Sequence, residues 1–154
     1  MNALVRHSVW FSRLVLAAAT VLFSLIGIRY IVDPISAVAP HQITLGSSEA
    51  VTIMRVSGGV FLGIAGVLLA CISSQRRLLA GTGVLALVSI AVTAVRLFGL
   101  AVDGPAPFTL RVLKPEIALV VLSALGFLFE SRRLQNAARI AVRHGPLGAP
   151  SGAQ

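Results

Sequence analysis

The sequence predicts an all-α fold: a four-helix transmembrane bundle with antiparallel up-down neighbours and both termini cytoplasmic. Three observations lead there. First, 56% of the residues are hydrophobic and only 12% are charged, about half the charge of a soluble domain, and the mean hydropathy is +0.93. Second, the apolar residues gather in four runs, 9–32, 51–72, 78–102 and 115–130, and surround each run, leaving no face for water. Third, the thirteen Lys and Arg residues stand singly or in pairs at the edges of these runs, which is how membrane proteins place charge. A net charge of +8 would also suit a phosphate backbone. The basic residues never gather on a polar, aromatic-studded segment, however, and no nucleic-acid partner is expected.

Residues 1–8 form a short cytoplasmic N-terminus ahead of the first run. A spanning helix needs about 20 apolar residues, because the hydrocarbon core is about 30 Å thick and each residue rises about 1.5 Å. The run 9–32 meets that length. It also has features of a signal peptide, since Arg6 and His7 precede it and Ala37-Val38-Ala39 resembles a cleavage site. Pro40 directly after that site disfavours cleavage, and the apolar stretch continues past Arg29 to Val32, so the run is read as a span.

The connection "DPISAVAPHQITLGSSEA" opens with Asp33-Pro34, a turn-forming pair, and contains Pro40 and Gly46. It is long for a link between helices, which hints at function. The second run, 51–72, carries "RVSGGVFLGIAG", in which Gly59 and Gly63 form a G-x-x-x-G pair with Gly58 and Gly66 nearby. Such a stripe lets another backbone approach closely, either inside the monomer or across a homo-oligomer. Cys71, the lone cysteine, lies in the same run and reads as a small buried hydrophobe.

Arg76 and Arg77 precede the third run, 78–102. The segment "VDGPAPFTLRVLKP" then joins runs three and four, and its three prolines argue against a continuous helix. Pro115 is expected at the first position of the last helix, 115–130, with Glu116 matching the helix dipole. Residues 131–154 form a basic cytoplasmic tail. "ESRRLQNAARIAVRHG" either continues the fourth helix against anionic headgroups or frays into water. "GPLGAPSGAQ" has the composition of a disordered end.

Orientation follows from the basic residues, because Lys- and Arg-rich short loops stay cytoplasmic. One side holds Arg6, Arg13, Arg76, Arg77, Arg132, Arg133, Arg139 and Arg143 against the single acid Glu130. The other holds Arg29, Arg55, Arg96, Arg111 and Lys114 against Asp33, Glu49, Asp103 and Glu116. This places the protein in the cytoplasmic (inner) membrane as a multi-pass protein with both ends inside.

Helical rise turns spacing into depth. Arg77 to Arg96 is 19 residues, about 28 Å. Arg76 back to Arg55 is 21 residues, about 31 Å. Arg13 to Arg29 is 16 residues, about 24 Å, and Glu130 back to Glu116 is 14 residues, about 21 Å. Each helix therefore brings one charge to the outer end. An isolated charge at mid-membrane costs about 2.5–3.5 kcal/mol, so such groups pair or face a cavity. The candidate binding residues are thus Arg29, Arg55, Arg96 and Glu116, with Asp103 and Asp33 in reach from the loops. Arg29 alternatively snorkels to the headgroups, and Asp103-Gly104-Pro105 alternatively forms only a turn.

The stretches "GIRYIVDP" from Gly27, "RVSGGVFLGIAGVLL" from Arg55, "VRLFGLAVDGP" from Val95 and "KPEIALVVL" from Lys114 together resemble a bacterial family of small four-helix membrane proteins, domain of unknown function number forty-three forty-five. The similarity covers about residues 10–129. The resemblance implies a four-helix membrane fold and no established activity. The family's arginine and glycines of helix two, its Arg and Asp-Gly of helix three and its Glu of helix four correspond to Arg55, Gly58, Gly59, Arg96, Asp103, Gly104 and Glu116. A more distant likeness to DoxX-like membrane proteins fits the architecture only.

No phosphate-binding glycine loop, nucleophile elbow or H-E-x-x-H is present, and His7, His41 and His144 are scattered, so no cofactor, metal site or catalytic residue is expected. The leading reading is a non-enzymatic membrane protein whose outer arginine and carboxylate cluster meets an anionic lipid headgroup, a small carboxylate or a partner membrane protein. The alternatives are a small transporter or transporter subunit, and a membrane enzyme using Glu116 as general acid or base.

Overall fold

The structure is a computed structural model that describes residues 3–41, 43–105 and 107–143, and all regular structure among them is helical. Helix α1 (Ala3–Val32) is followed by a one-turn helix α2 (Pro34–Val38) and a 3₁₀ turn (Ala39–His41). Then come α3 (Ser48–Ile72), α4 (Leu78–Asp103) and α5 (Pro107–Arg143). The four long helices, α1, α3, α4 and α5, are each long and apolar enough to cross a membrane.

Local chemistry sets the boundaries. The Asp33 carboxylate accepts from the Ser36 backbone N–H at 3.1 Å, and Pro34 supplies the first residue of α2, where a missing N–H costs nothing. Ser47 Oγ accepts from Ala50 N–H at 3.2 Å and starts α3, with Glu49 in its first turn. The α4 helix stops at Gly104, whose φ of +86° suits glycine alone, and Pro105 follows.

Three boundaries differ from the sequence expectation. α1 begins at Ala3, ahead of residue 9, and α3 at Ser48, ahead of residue 51. The larger difference is α5, which begins at Pro107 and carries Pro115 inside it. Of the three prolines only Pro105 lies outside the helix. Pro107 occupies the first position, where the lost donor is not needed. Pro115 removes one backbone hydrogen bond, a break that membrane helices tolerate when neighbours and local adjustment satisfy the freed carbonyl. Glu116 is therefore two turns into a helix and does not open one. The basic tail continues α5 as helix to Arg143, while the disordered end expected from residue 145 onward lies outside the described residues.

The long helices alternate in direction. Phe23 stacks on Phe61 with centroids 5.8 Å apart, and Gly27 abuts Gly58, so α1 and α3 run antiparallel. Thr82 meets Gly126 and Arg96 meets Glu116, so α4 and α5 do too. Ser12 and Phe11 of α1 reach Gly126 and Phe129 of α5, joining the two hairpins. We call the end holding the 73–77 turn, the N-terminal end of α1 and the C-terminal end of α5 the base, and the opposite end the crown. The core is concentrated toward the base: Leu16, Leu68, Leu78 and Leu85 are fully buried there. The backbones of α3 and α4 come so close that a Cβ on Gly81 would lie 2.6 Å from that of Cys71.

Candidate functional site

At the crown, a flank of α4 beside its buried stripe lines a cleft. Leu78, Thr82, Leu85, Ser89 and Thr93 are buried along that stripe. From Val92 upward, Val92, Val95, Arg96, Gly99 and Asp103 line a cleft of about 820 Å³, closed at one side by Pro105 and Thr109. Its walls are largely apolar, with one cation and one acid.

Arg96 is the charged centre of this region. Its Nε donates to Glu116 Oε2 at 2.6 Å, with both side chains mostly buried, 23% and 17% exposed. A guanidinium carries five N–H donors, so donors remain for a second acceptor on the cleft side. The guanidinium also sits 5.7 Å from the centre of the Phe108 ring, within cation–π range. Phe108 in turn is covered by the His41 ring at 4.0 Å. The 3₁₀ turn of the first connection thus reaches across to α5 and caps the aromatic support of Arg96.

Asp103 stands at the cleft rim, two turns above Arg96. Its Oδ2 leans back along the helix and would be in ordinary contact, 3.7 Å, with a Cβ on Gly99. The rise between Arg96 and Asp103 is about 10 Å, which holds the two opposite charges apart across the cleft.

The other sequence candidates lie elsewhere. Arg29 and Arg55 are exposed on α1 and α3, and among the described residues neither forms an ion pair. Of the three arginines expected around Glu116, Arg96 alone is paired with it among the described residues, and Arg29 and Arg55 are exposed on α1 and α3. Asp33 is engaged as the cap of α2 and does not join the pair. The hydrogen bonds from Ser36 hold its carboxyl below the ordinary value of 3.8. Gly58 packs against α1, where an added Cβ would lie 2.7 Å from the Gly27 carbonyl oxygen. Gly59, Gly63 and Gly66 face open space, with no atom within 4 Å of an added Cβ.

A second charged group, at the base, escaped the sequence reading. Glu130 is fully buried and lies 2.8 Å from Arg133, whose guanidinium also donates to the Gln75 carbonyl at 2.8 Å. This ties α5 to the turn between α3 and α4. The spacing of three residues between Glu130 and Arg133 was visible in the sequence as an intrahelical pair. Its burial was not, because that depends on the approach of the 73–77 turn. Among the described residues no three His, Cys, Asp or Glu side chains gather as a metal site.

Known proteins add the family and nothing on activity. No curated protein and no solved structure matches the chain. A family model matches residues 11–127, a range that takes in Arg96, Glu116 and the whole cleft and stops short of Glu130. The chain belongs to the family described as Domain of unknown function (DUF4345).

Proposed function

We propose that this protein is a non-enzymatic, multi-pass protein of a bacterial inner membrane, with both termini cytoplasmic, that holds an anionic group at Arg96 in the crown cleft. The excess of arginine at the base supports the orientation. The observation that carries the binding reading is Arg96 itself, a cation with unused donors on the wall of an otherwise apolar cleft. Val92 and Val95 suit an acyl or other apolar tail, and the guanidinium suits a carboxylate or phosphate head. The ligand class is therefore an amphiphile with an anionic end, either a membrane lipid or a free carboxylate.

Native mass spectrometry of the purified protein tests this. Wild type and Arg29→Ala retain a bound anionic amphiphile, and Arg96→Ala loses it while keeping its helical circular dichroism. Adding phosphatidylglycerol in one arm and a free fatty acid in the other identifies the source. Equal retention by wild type and Arg96→Ala contradicts the reading. Catalysis at Glu116 is favoured less, because its carboxylate is already engaged by Arg96. A membrane-enzyme reading requires activity that disappears in Glu116→Gln.

A further inference from the structure

The α4–α5 hairpin contains a polar series that shares Arg96 with the crown cleft and continues beyond it to the base. On α4, Thr82, Ser89 and Arg96 recur every seven residues; on α5, Glu116, Ser123 and Glu130 do the same. The helices are antiparallel with Arg96 against Glu116 and Thr82 beside Gly126. Stepping seven residues down each helix therefore brings Ser89 near the level of Ser123, and Thr82, beside Gly126, lies about one turn above Glu130. Thr93 adds a hydroxyl between Arg96 and Ser89, and Ser12 of α1 adds one near Gly126. All of the hydroxyls in the series are buried.

Hydrogen bonding separates these hydroxyls into two kinds. Thr82 donates to the Leu78 carbonyl and Ser123 to the Val120 carbonyl within their own helices. Ser12 Oγ, Ser89 Oγ and Thr93 Oγ1 are buried and have no hydrogen-bond partner among the described residues. Buried polar groups left without protein partners are normally met by water. From Arg96 through Thr93 to Ser89 the steps are about one helical turn, about 5.4 Å, which one water making two hydrogen bonds of about 2.8 Å spans; from Ser89 to Thr82 the step is seven residues, about 10 Å. The turn of α4 without a hydroxyl is occupied by Leu85, which is fully buried between Thr82 and Ser89.

We propose that this series is a proton path between the crown and the base, ending on Glu116 and Glu130 and interrupted by Leu85 as a dry constriction. The ends are about 21 Å apart along α5, most of the hydrocarbon thickness. A proton from the crown side joins the Glu116 carboxylate, loosening its ion pair with Arg96. It then passes along hydroxyls and entering waters, each accepting one proton and releasing another, to the Glu130 carboxylate. From there it leaves to the base, and both carboxylates return to their starting form. The net change is one proton moved down its own electrochemical gradient. Arg96 faces Glu116 from α4. Arg133 faces Glu130 from its own helix, and Arg13 lies on the α1 turn beside Ser12. The path shares Arg96 with the crown cleft but does not require a ligand bound there.

The test is proton flux into vesicles of phosphatidylethanolamine and phosphatidylglycerol. These hold the purified full-length protein and an internal pH dye, with a potassium gradient and valinomycin supplying the driving potential. Wild type is expected to acidify the lumen faster than protein-free vesicles. Thr93→Val and Glu130→Gln are expected to fall to the protein-free rate, and Leu85→Ala to exceed wild type. Thr93→Val keeps the side-chain volume and removes a hydroxyl that no protein group needs, so it is expected to fold. Its melting temperature gives a second readout: a fall shows that the hydroxyl held water, as the path requires. A wild-type rate equal to that of empty vesicles overturns the proposal. So does a wild-type-like rate in Thr93→Val and Glu130→Gln, with a raised melting temperature for the former.

Discussion

In the hairpin of α1 and α3, Gly27 and Gly58 bring the backbones together, and Phe23, Phe61 and Tyr30 fill the space beside them with rings 5.8 and 5.9 Å apart. In the hairpin of α4 and α5, Arg96 pairs with Glu116, and Thr82, Ser89, Ser123 and Glu130 are buried polar residues. Both hairpins lie in the same apolar chain and face the same solvent, yet one is close-packed and apolar and the other polar and open at the crown. The difference teaches where chemistry resides. Close backbone packing excludes ligands and water, so α1 and α3 act as scaffold. Hydroxyls and ion pairs inside a membrane are retained only where something offsets their desolvation, which is the ground for proposing the site on α4 and α5.

Breaking the polar hairpin is expected to have the largest effect. Arg96→Ala leaves Glu116 without its cation and is expected to cost about 2–3 kcal/mol, below the 3–5 kcal/mol of a fully buried pair because both groups keep some exposure. Arg96→Met with Glu116→Leu is expected to cost less than the two single changes added together. Thermal unfolding in detergent measures both. Breaking the apolar hairpin follows. In Gly58→Ala the new Cβ would meet a backbone oxygen that cannot easily yield, and overpacking of this kind costs about 1–3 kcal/mol. Gly59→Ala, one residue away and facing open space, is expected to leave the melting temperature unchanged.

Two smaller effects sharpen the contrast at the crown. Asp103→Asn removes an acid about 10 Å from Arg96, worth about 0.4 kcal/mol in water-like surroundings, so affinity for an anionic amphiphile is expected to rise about twofold in a binding titration. Asp33 makes the smallest contribution, confined to α2. Its carboxyl is lowered in the folded state by Ser36, so its support for α2 is present above the ordinary value of 3.8 and disappears as pH falls through the lowered one. Asparagine caps as well as aspartate but does not titrate. Asp33→Asn is thus expected to keep α2 protected from hydrogen exchange as pH is lowered through that range, where wild type loses protection.

The bundle was legible because bilayer thickness fixes the length of an apolar run, and the runs around Ala19, Ala65 and Leu85 all reach it. Pro115 misled because proline marks a boundary in water, whereas a membrane helix can carry it. Rise per residue brought Arg96 and Glu116 toward the same end of adjoining helices, with Glu116 a little deeper, and the length of the arginine side chain closes the difference. Rise fixes depth but not direction, which is why Arg29 and Arg55 share that depth yet point away. Gly58 and Gly59 show the same limit: adjacent residues lie 100° apart on a helix, and only one faces α1. His41 against Phe108 depends on how a connection folds over, which local pattern does not encode. The seven-residue recurrence in α4 and α5 was present in the sequence, but its meaning required knowing that these two faces oppose each other.

A density map of the full-length protein in lipid nanodiscs tests the division of labour most directly. The cleft between Arg96 and Asp103 should hold elongated density with its head against the guanidinium and its tail along Val92 and Val95, while the α1–α3 seam at Gly27 and Gly58 stays closed. A cleft filled by the protein's own side chains, with Arg96 bound only to Glu116 and no density beside it, would contradict the assignment of binding to α4 and α5.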